Sequence, residues 1–192
     1  MENWHSRVIA YNDGLTAKGY FKFCEGSQRG MSERFSVLLE KEQLIFSAAH
    51  FITFAGNICE SIHGHNYRVR CEVFGKLDEN GYVVDFIALR DALNGIVRRL
   101  DHKVLLPTLH PEIRVQEDED EVLVTYEKRR WIFPRDNCLL LPIANTTAEL
   151  IARFMVGELK AIGDERLDQA IDEISLGVDE NEGQWGVCHC DW

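Results

Sequence analysis

The segment HGHNYRVRCEVF, from His63 to Phe74, carries the strongest fold signal in the sequence. Its residues alternate in character, as they do in a β-strand that has one face on a core and the other toward solvent. One face carries histidines followed by aromatic and apolar residues, namely His63, His65, Tyr67, Val69, Cys71 and Val73. The other face carries Asn66, Arg68, Arg70 and Glu72. The pattern therefore predicts a strand with both histidines on its apolar face.

The sequence on either side of this strand predicts an α+β domain. Phe35 to His50 mixes β-branched, aromatic and alternating positions, which predicts one or two strands that end at His50. Apolar residues at helical spacing follow Asp85, a suitable N-cap, and a second helical pattern begins at Thr146. Residues 171–192 predict two strands joined by a turn. This order favours antiparallel strands backed by two helices over a doubly wound parallel sheet.

Length and composition indicate one domain over residues 1–192, of which 45% are hydrophobic and 28% charged. Residues 1–34 are glycine-rich and weakly patterned, which indicates an N-terminal extension. Residues 111–134 contain an acidic run, Glu117 to Glu121, and indicate an inserted exposed hairpin or partly disordered loop.

The charge and the apolar patterning limit the classes of partner. A formal net charge of −11 argues against a general nucleic-acid or anionic-membrane partner. The N-terminus lacks the basic start and apolar stretch of a signal peptide, and no apolar run approaches the roughly 18 residues of a membrane span. We therefore expect a cytoplasmic protein.

The six cysteines lack the dense, regular spacing of a secreted disulfide scaffold, so we expect mostly free thiols. The sequence Cys188-His189-Cys190 suggests a metal site at first sight. On a strand, however, its three side chains would alternate between faces and could not converge, so we expect no metal there.

Three histidines form a candidate metal site. His63 and His65 share one face of the predicted strand with only Gly64 between them, and His50 lies a short distance upstream. This arrangement can bring imidazole nitrogens to one ion at about 2.0–2.1 Å, and three histidines without an obligatory fourth ligand are typical of catalytic zinc. The alternative is that His63 and His65 are half-buried strand residues packed against Tyr67.

Cys59, four residues before His63, has three possible roles. It could be a fourth ligand that closes a structural Cys-His₃ zinc site, or a thiolate activated by a neighbouring metal. It could also be a small buried apolar residue, as most free cysteines are.

Four acidic or histidine residues are weaker candidates taken singly. Asp101-His102 follows the first predicted helix and could form a proton relay, or Asp101 could simply cap or solvate the chain. Glu149 is explained by a capping box with Thr146, and Glu180 by a surface turn.

The order of these residues is more specific than any one of them. His50 comes first, followed by Cys-x-x-x-His-Gly-His-Asn-Tyr, Leu-Asp-His, Thr-x-x-Glu at a helix start, and a glutamate on a late strand. This order resembles the 6-pyruvoyl-tetrahydropterin synthase family over a synthase-like core, residues 35–187. The spacing from Cys59 to His63 is most similar to the bacterial branch, the 6-carboxy-5,6,7,8-tetrahydropterin synthases of queuosine biosynthesis.

The resemblance implies roles for the candidate residues. The zinc ligands would be His50, His63 and His65. Cys59 would be the general base, and Asp101 with His102 would complete its proton relay. The expected reaction converts 7,8-dihydroneopterin triphosphate to 6-carboxytetrahydropterin, acetaldehyde and triphosphate.

The resemblance also implies a substrate pocket and an assembly. Glu180 would anchor the pterin ring, with Glu149 and Thr147 as further pterin contacts. The implied fold is the tunnelling fold, an antiparallel four-stranded sheet packed by two helices. It assembles as trimers stacked into homohexamers with active sites between subunits.

Several positions depart from the family pattern and leave other activities open. Asn145 stands where a proline is common, Leu150 replaces a common asparagine, and Asn181 replaces the usual threonine. A pyruvoyl synthase or a pterin side-chain aldolase would use the same scaffold. A different class of protein, either a non-catalytic pterin-binding protein or a structural Cys-His₃ zinc domain, is the remaining alternative.

Overall fold

The computed structural model describes residues 33–56, 58–168 and 171–192, of which Arg34–Trp192 form one compact unit. The predicted extension, residues 1–34, lies almost entirely outside the described residues. The strands are β1 (Phe35–His50), β2 (Thr53–Phe54), β3 (Ile58–Cys59), β4 (His63–Gly75), β5 (Lys103–Pro107), β6 (Arg114–Glu117), β7 (Glu121–Tyr126), β8 (Arg129–Pro134), β9 (Cys138–Leu141), β10 (Ile171–Asn181) and β11 (Gln184–Asp191). The helices are α1 (Phe86–Leu100), α2 (Ala148–Ala161) and the short α3 (Glu165–Asp168), and Arg135–Asn137 form a 3₁₀ turn.

The main sheet has six strands in the order β11-β10-β4-β1-β5-β9, so the predicted four-stranded sheet is too small. Its first four strands are antiparallel neighbours, as expected, whereas β5 and β9 extend the sheet in parallel. The added strands, KVLLP and CLLL, are short apolar runs without alternation. Such runs are typical of buried parallel strands and carry little period-2 signal.

The register between β1 and β4 brings the candidate ligands together. His50 lies opposite His63, and Ala48 lies opposite His65. The pairing is irregular between Glu40 and Ile45, where β1 bulges. Because paired residues point to the same face of a sheet, His50 joins the two histidines of β4 on one face.

Helices α1 and α2 cover this face and form the main core with it. Asp85 is the N-cap of α1, as predicted, and its carboxylate accepts hydrogen bonds from the backbone N–H groups of Ile87 and Ala88. Apolar side chains of both helices belong to one buried cluster with Tyr67 and Val69 of β4. None of the helices in the described ranges is long and apolar enough to cross a membrane.

The insertion is a folded three-stranded antiparallel sheet, β6-β7-β8, and not the exposed hairpin or partly disordered loop that the acidic run suggested. Alternating residues of β7 are buried in a second apolar cluster, which includes Phe51 and Cys59. Trp131 of β8 stacks on Phe51 with ring centroids 4.9 Å apart. The insertion therefore covers the segment that carries Cys59.

The described cysteines, Cys59, Cys71, Cys138, Cys188 and Cys190, are free thiols, as expected. In β11, Cys188 and Cys190 pack against the main core, while His189 between them is exposed on the opposite face.

Candidate metal centre

Three histidines and one glutamate converge at the end of the β1–β4 pair. One ligand atom from each of His50, His63, His65 and Glu180 lies within 4.8 Å of the other three. The ring centroids of His50 and His63 are 4.7 Å apart, and those of His63 and His65 are 4.8 Å apart. These three histidines are the predicted metal ligands, and the antiparallel register explains their convergence.

Hydrogen bonds orient two of the imidazoles. His50 Nδ1 donates to the carbonyl oxygen of Thr146 at 2.8 Å, and His63 Nδ1 donates to that of Ser61 at 2.9 Å. In a neutral ring, a proton on Nδ1 leaves Nε2 with a free lone pair. Histidines that bind a metal through one ring nitrogen commonly donate a hydrogen bond from the N–H of the other to a backbone carbonyl in this way.

Two buried ring nitrogens of the group lie close to the Glu180 carboxylate without forming a regular hydrogen bond. His50 Nε2 and His65 Nε2 are inaccessible to solvent and make no hydrogen bond of acceptable geometry among the described residues. Burial lowers the pKa of His65 and, together with the neighbouring His50 and His63 rings, outweighs the opposing charge of Glu180, which favours the neutral form that binds metals. The donor set therefore fits a divalent cation such as zinc.

Glu180, near the end of β10, belongs to this group and is not the isolated surface carboxylate that its local sequence suggested. Its Oε1 lies 2.9 Å from His50 Nε2 and 3.3 Å from His65 Nε2. The interaction with His50 lowers the pKa of the Glu180 carboxyl and outweighs the opposing effect of burial. Strand β10 pairs with β4, and this long-range pairing brings the carboxylate to the histidines.

Cys59 lies outside the ligand group. Its side chain is buried in the second cluster, with 4% of the residue exposed, and its thiol donates to the Glu60 carbonyl at 3.5 Å. Burial raises the pKa of the Cys59 thiol, while the Arg129 guanidinium acts in the opposite direction through its charge and a hydrogen bond. Sequence reasoning did not single out Arg129, because it belongs to the insertion.

Asp101 and His102 form a pair, but the chain does not bring it to Cys59. His102 Nδ1 lies 2.9 Å from Asp101 Oδ2, and Asp101 Oδ1 accepts a hydrogen bond from Ser47 N at 2.8 Å. This backbone hydrogen bond is the main reason that the Asp101 pKa is lowered. The His102 side chain is 82% exposed and lines a groove of about 480 Å³ with Ser47 and Asn66.

Although His65 also lines that groove, Ser47 and Asn66 reach it from the other face of the sheet. Ser47 alternates with Ala48 along β1, and Asn66 alternates with His65 along β4, so both point away from the histidine group. Among the described residues, no hydrogen bond or ion pair joins Asp101 or His102 to Cys59. The proposed base and relay are therefore separated within one chain.

The start of α2 differs from the predicted capping box by one residue. Thr147 is the N-cap and accepts a hydrogen bond from Leu150 N at 3.5 Å, so the expected Thr146–Glu149 box is wrong. Thr146 is buried, and its hydroxyl donates to the carbonyl of Phe51 at 3.0 Å. Because its own carbonyl orients His50, Thr146 supports the candidate metal centre, while Glu149 is exposed in the first helical turn.

Comparison with known sequences places this site in a family context. The sequence model of the family described as 6-pyruvoyl tetrahydropterin synthase matches residues 39–189. A Methanocaldococcus jannaschii protein, provisionally named 6-carboxy-5,6,7,8-tetrahydropterin synthase, is 32% identical over 151 residues, which are 76% of this chain and 89% of that protein. The dihydroneopterin monophosphate aldolase of Pyrococcus furiosus gives a shorter match. It is 37% identical over 60 residues, which are 31% of this chain and 50% of the aldolase.

Solved structures show the same architecture. The 6-pyruvoyl tetrahydropterin synthase of Plasmodium falciparum superposes with a TM-score of 0.77 at 27% identity, covering 84% of this chain and all of the other. The corresponding Plasmodium vivax protein superposes with a TM-score of 0.76 at the same identity and coverage. The fold is thus that of the tetrahydropterin synthases.

Proposed function

The chain belongs to the 6-pyruvoyl tetrahydropterin synthase family, as a lyase of the tetrahydropterin synthase type, and on that premise we propose its reaction. The protein converts 7,8-dihydroneopterin triphosphate and water to 6-carboxy-5,6,7,8-tetrahydropterin, acetaldehyde and triphosphate. Relatives named for this activity favour the carboxy product. The observation that carries the proposal is the convergence of three histidines, two of them oriented by hydrogen bonds to backbone carbonyls, beside Glu180.

His50, His63 and His65 would hold a zinc ion. Bound there, zinc would act as a Lewis acid that polarises side-chain oxygens of the substrate and so acidifies the neighbouring C–H bonds. The Nδ1–H bonds of His50 and His63 to backbone carbonyls fix both rings before the metal arrives. Such preorganisation raises the affinity of a metal site.

Cys59 is the proposed general base, which removes a proton from the substrate carbon skeleton. A base of this kind is effective when its pKa lies near the working pH, so the thiol must lose its proton despite its burial. His102, oriented by Asp101, is the proposed relay that passes the proton on.

The separation of relay and base supports an assembly in which a second copy completes the site. We propose the homohexamer of two stacked trimers, with His102 of one subunit reaching the Cys59 region of its neighbour. The 82% exposure of the His102 side chain leaves it free for such a contact.

Glu180 is the proposed pterin anchor, with Thr147 and Glu149 as further contacts. A carboxylate facing the guanidine-like edge of a pterin makes two parallel hydrogen bonds. Its position beside His50 and His65 would hold the pterin close to the metal.

Replacing Glu180 with glutamine should weaken pterin binding while zinc remains bound. Hydrogen bonds to a charged group contribute about 1.5–3 kcal/mol, so we expect affinity to fall roughly 10- to 100-fold. Calorimetry with a reduced pterin and metal analysis of the same sample measure the two quantities. Glu182→Gln, an exposed neighbour on the turn after β10, is the matched control. Loss of zinc from Glu180→Gln would instead make Glu180 a fourth metal ligand.

Zinc should stabilise the metal-free protein. At a free concentration about 100 times Kd the gain is about 2.7 kcal/mol, which for a domain of this size corresponds to roughly 5–10 °C in Tm. Differential scanning calorimetry with and without zinc measures the shift. His63→Ala should abolish it, whereas His189→Ala, an exposed histidine on β11, should retain it. Equal zinc-induced shifts in the two variants would contradict the proposed site.

Mass spectrometry of the products tests the reaction itself. Zinc-loaded protein incubated with 7,8-dihydroneopterin triphosphate should release a carboxypterin and acetaldehyde. The resemblance to an aldolase from Pyrococcus furiosus favours one alternative, side-chain cleavage to a 6-hydroxymethyl pterin. A pyruvoyl or hydroxymethyl product would replace the carboxypterin assignment with that sister activity.

A further inference from the structure

The insertion delivers an arginine directly to the Cys59 segment. Strands β7 and β8 are joined by the two-residue turn Glu127-Lys128, with Tyr126 paired to Arg129. Glu127 has a φ of 49°, a value suited to the first position of a tight hairpin turn. Arg129 therefore begins β8 at the tip of the hairpin, next to the segment that the insertion covers.

Arg129 holds two consecutive backbone carbonyls of that segment. Its Nη1 donates to the Cys59 carbonyl at 2.7 Å and to the Glu60 carbonyl at 3.2 Å. Among the described residues, no carboxylate lies within ion-pair distance of Arg129. The guanidinium is thus committed to the Cys59–Glu60 backbone, and its charge stays available to the neighbouring thiol.

We propose that Arg129 is a positioning residue for Cys59, which fixes the cysteine's backbone and supplies a positive charge beside its thiol. The inference rests on the proposed function, in which Cys59 is the general base. It assigns the insertion an active-site role, because the arginine is carried by this added sheet and by none of the strands of the main sheet.

Apolar packing explains how the insertion holds Arg129 in position beside Cys59. Val122, Val124 and Tyr126 of β7 share an apolar cluster with Cys59 and Phe51. Phe51 also stacks on Trp131, two residues after Arg129. Because these contacts lie on both sides of the hairpin turn, they restrict the position of the arginine relative to the thiol.

The charged groups around the Cys59 thiol have opposing effects on its ionisation. Glu60 and Glu127 both disfavour a thiolate at Cys59, as does burial, whereas Arg129 favours it. Tyr126, paired with Arg129 across the hairpin, is a further titratable group that interacts with the thiol. Removing the guanidinium would leave a buried thiol facing two carboxylates.

Site-resolved alkylation of Cys59 tests this role without any substrate. The zinc-loaded full-length protein is treated with iodoacetamide from about pH 6 to about pH 10, and modification of the Cys59 peptide is quantified by mass spectrometry. Half-exposed Cys188 and Cys190 in the same sample serve as internal standards. The rate at high pH reports access to the thiol, and the midpoint of the profile reports the charge around it.

Arg129→Gln should shift the midpoint to higher pH and slow Cys59 alkylation at about pH 7.5 by roughly three- to tenfold. Arg129→Lys should give a midpoint and an alkylation rate between those of the wild type and Arg129→Gln, since lysine keeps the charge but lacks the planar donor group. Arg130→Gln removes the same charge one residue further along β8, where the side chain points to the opposite face, and should change the rate less than about twofold.

Two results would overturn the proposal. One is an equal effect of Arg129→Gln and Arg130→Gln, which would indicate a general charge effect. The other is an unchanged midpoint in Arg129→Gln, with or without a change in the high-pH rate, which would leave Arg129 with a structural role at most. Because alkylation requires no pterin, absence of lyase turnover would count against the proposed function and not against this contact.

Discussion

Replacing Cys59 with alanine should leave a folded, zinc-loaded protein whose turnover is lowered roughly 10²- to 10⁴-fold, the usual contribution of a general base. The thiol lies outside the group formed by the three histidines and Glu180, so its removal takes no ligand from the metal centre. Turnover of dihydroneopterin triphosphate, zinc content and thermal unfolding of the same preparation measure the three properties.

The matched control is Cys138→Ala. Cys138 belongs to the same apolar cluster as Cys59 and is equally buried, with 4% of each residue exposed. Each variant loses one thiol from the same apolar cluster, so their stabilities should be similar. Only Cys59→Ala should lose turnover. Loss of zinc together with unfolding in Cys59→Ala would favour the structural Cys-His₃ alternative, because structural zinc contributes directly to folding.

Gly186→Ala should destabilise the protein by about 3 kcal/mol, the upper part of the range for overpacked cores. A Cβ atom at Gly186 would lie 2.5 Å from the Glu149 backbone nitrogen and 2.6 Å from the Ala148 carbonyl carbon. Both contacts are with backbone at the start of α2, which cannot rotate away as a side chain can. Relief requires α2 to move off β11.

The same movement should weaken the proposed metal centre, since Thr146, whose carbonyl orients His50, immediately precedes the N-cap of α2. Urea denaturation gives the loss of stability, and zinc titration gives the loss of metal affinity. Gly157→Ala, in the exposed interior of α2 with no atom within 4 Å of a new Cβ, should stabilise the protein by about 1 kcal/mol. Similar stabilities of the two variants would show that the contact at Gly186 is easily relieved.

The local pattern of the sequence was sufficient for the antiparallel strands, both main helices and the shared face of His63 and His65. Alternation in β4 predicts that His63 and His65 share a face, and this follows from the geometry of one strand alone. The N-cap Asp85 was likewise predictable, because a cap is made within a few residues. At the start of α2, two adjacent threonines offered equivalent caps, and burial of Thr146 against Phe51 selected Thr147.

Tertiary structure alone decided the surroundings of the histidines. The register of β1 on β4 brings His50 to His63, and the pairing of β10 with β4 places Glu180, an apparent surface carboxylate in the sequence, beside the histidines. Apolar burial also folds the insertion and directs Arg129 to Cys59, across 70 residues of chain. A strand's own residues determine which way its side chains point, but its partner strands and the contacts across the core determine what those side chains meet, and these depend on the whole chain.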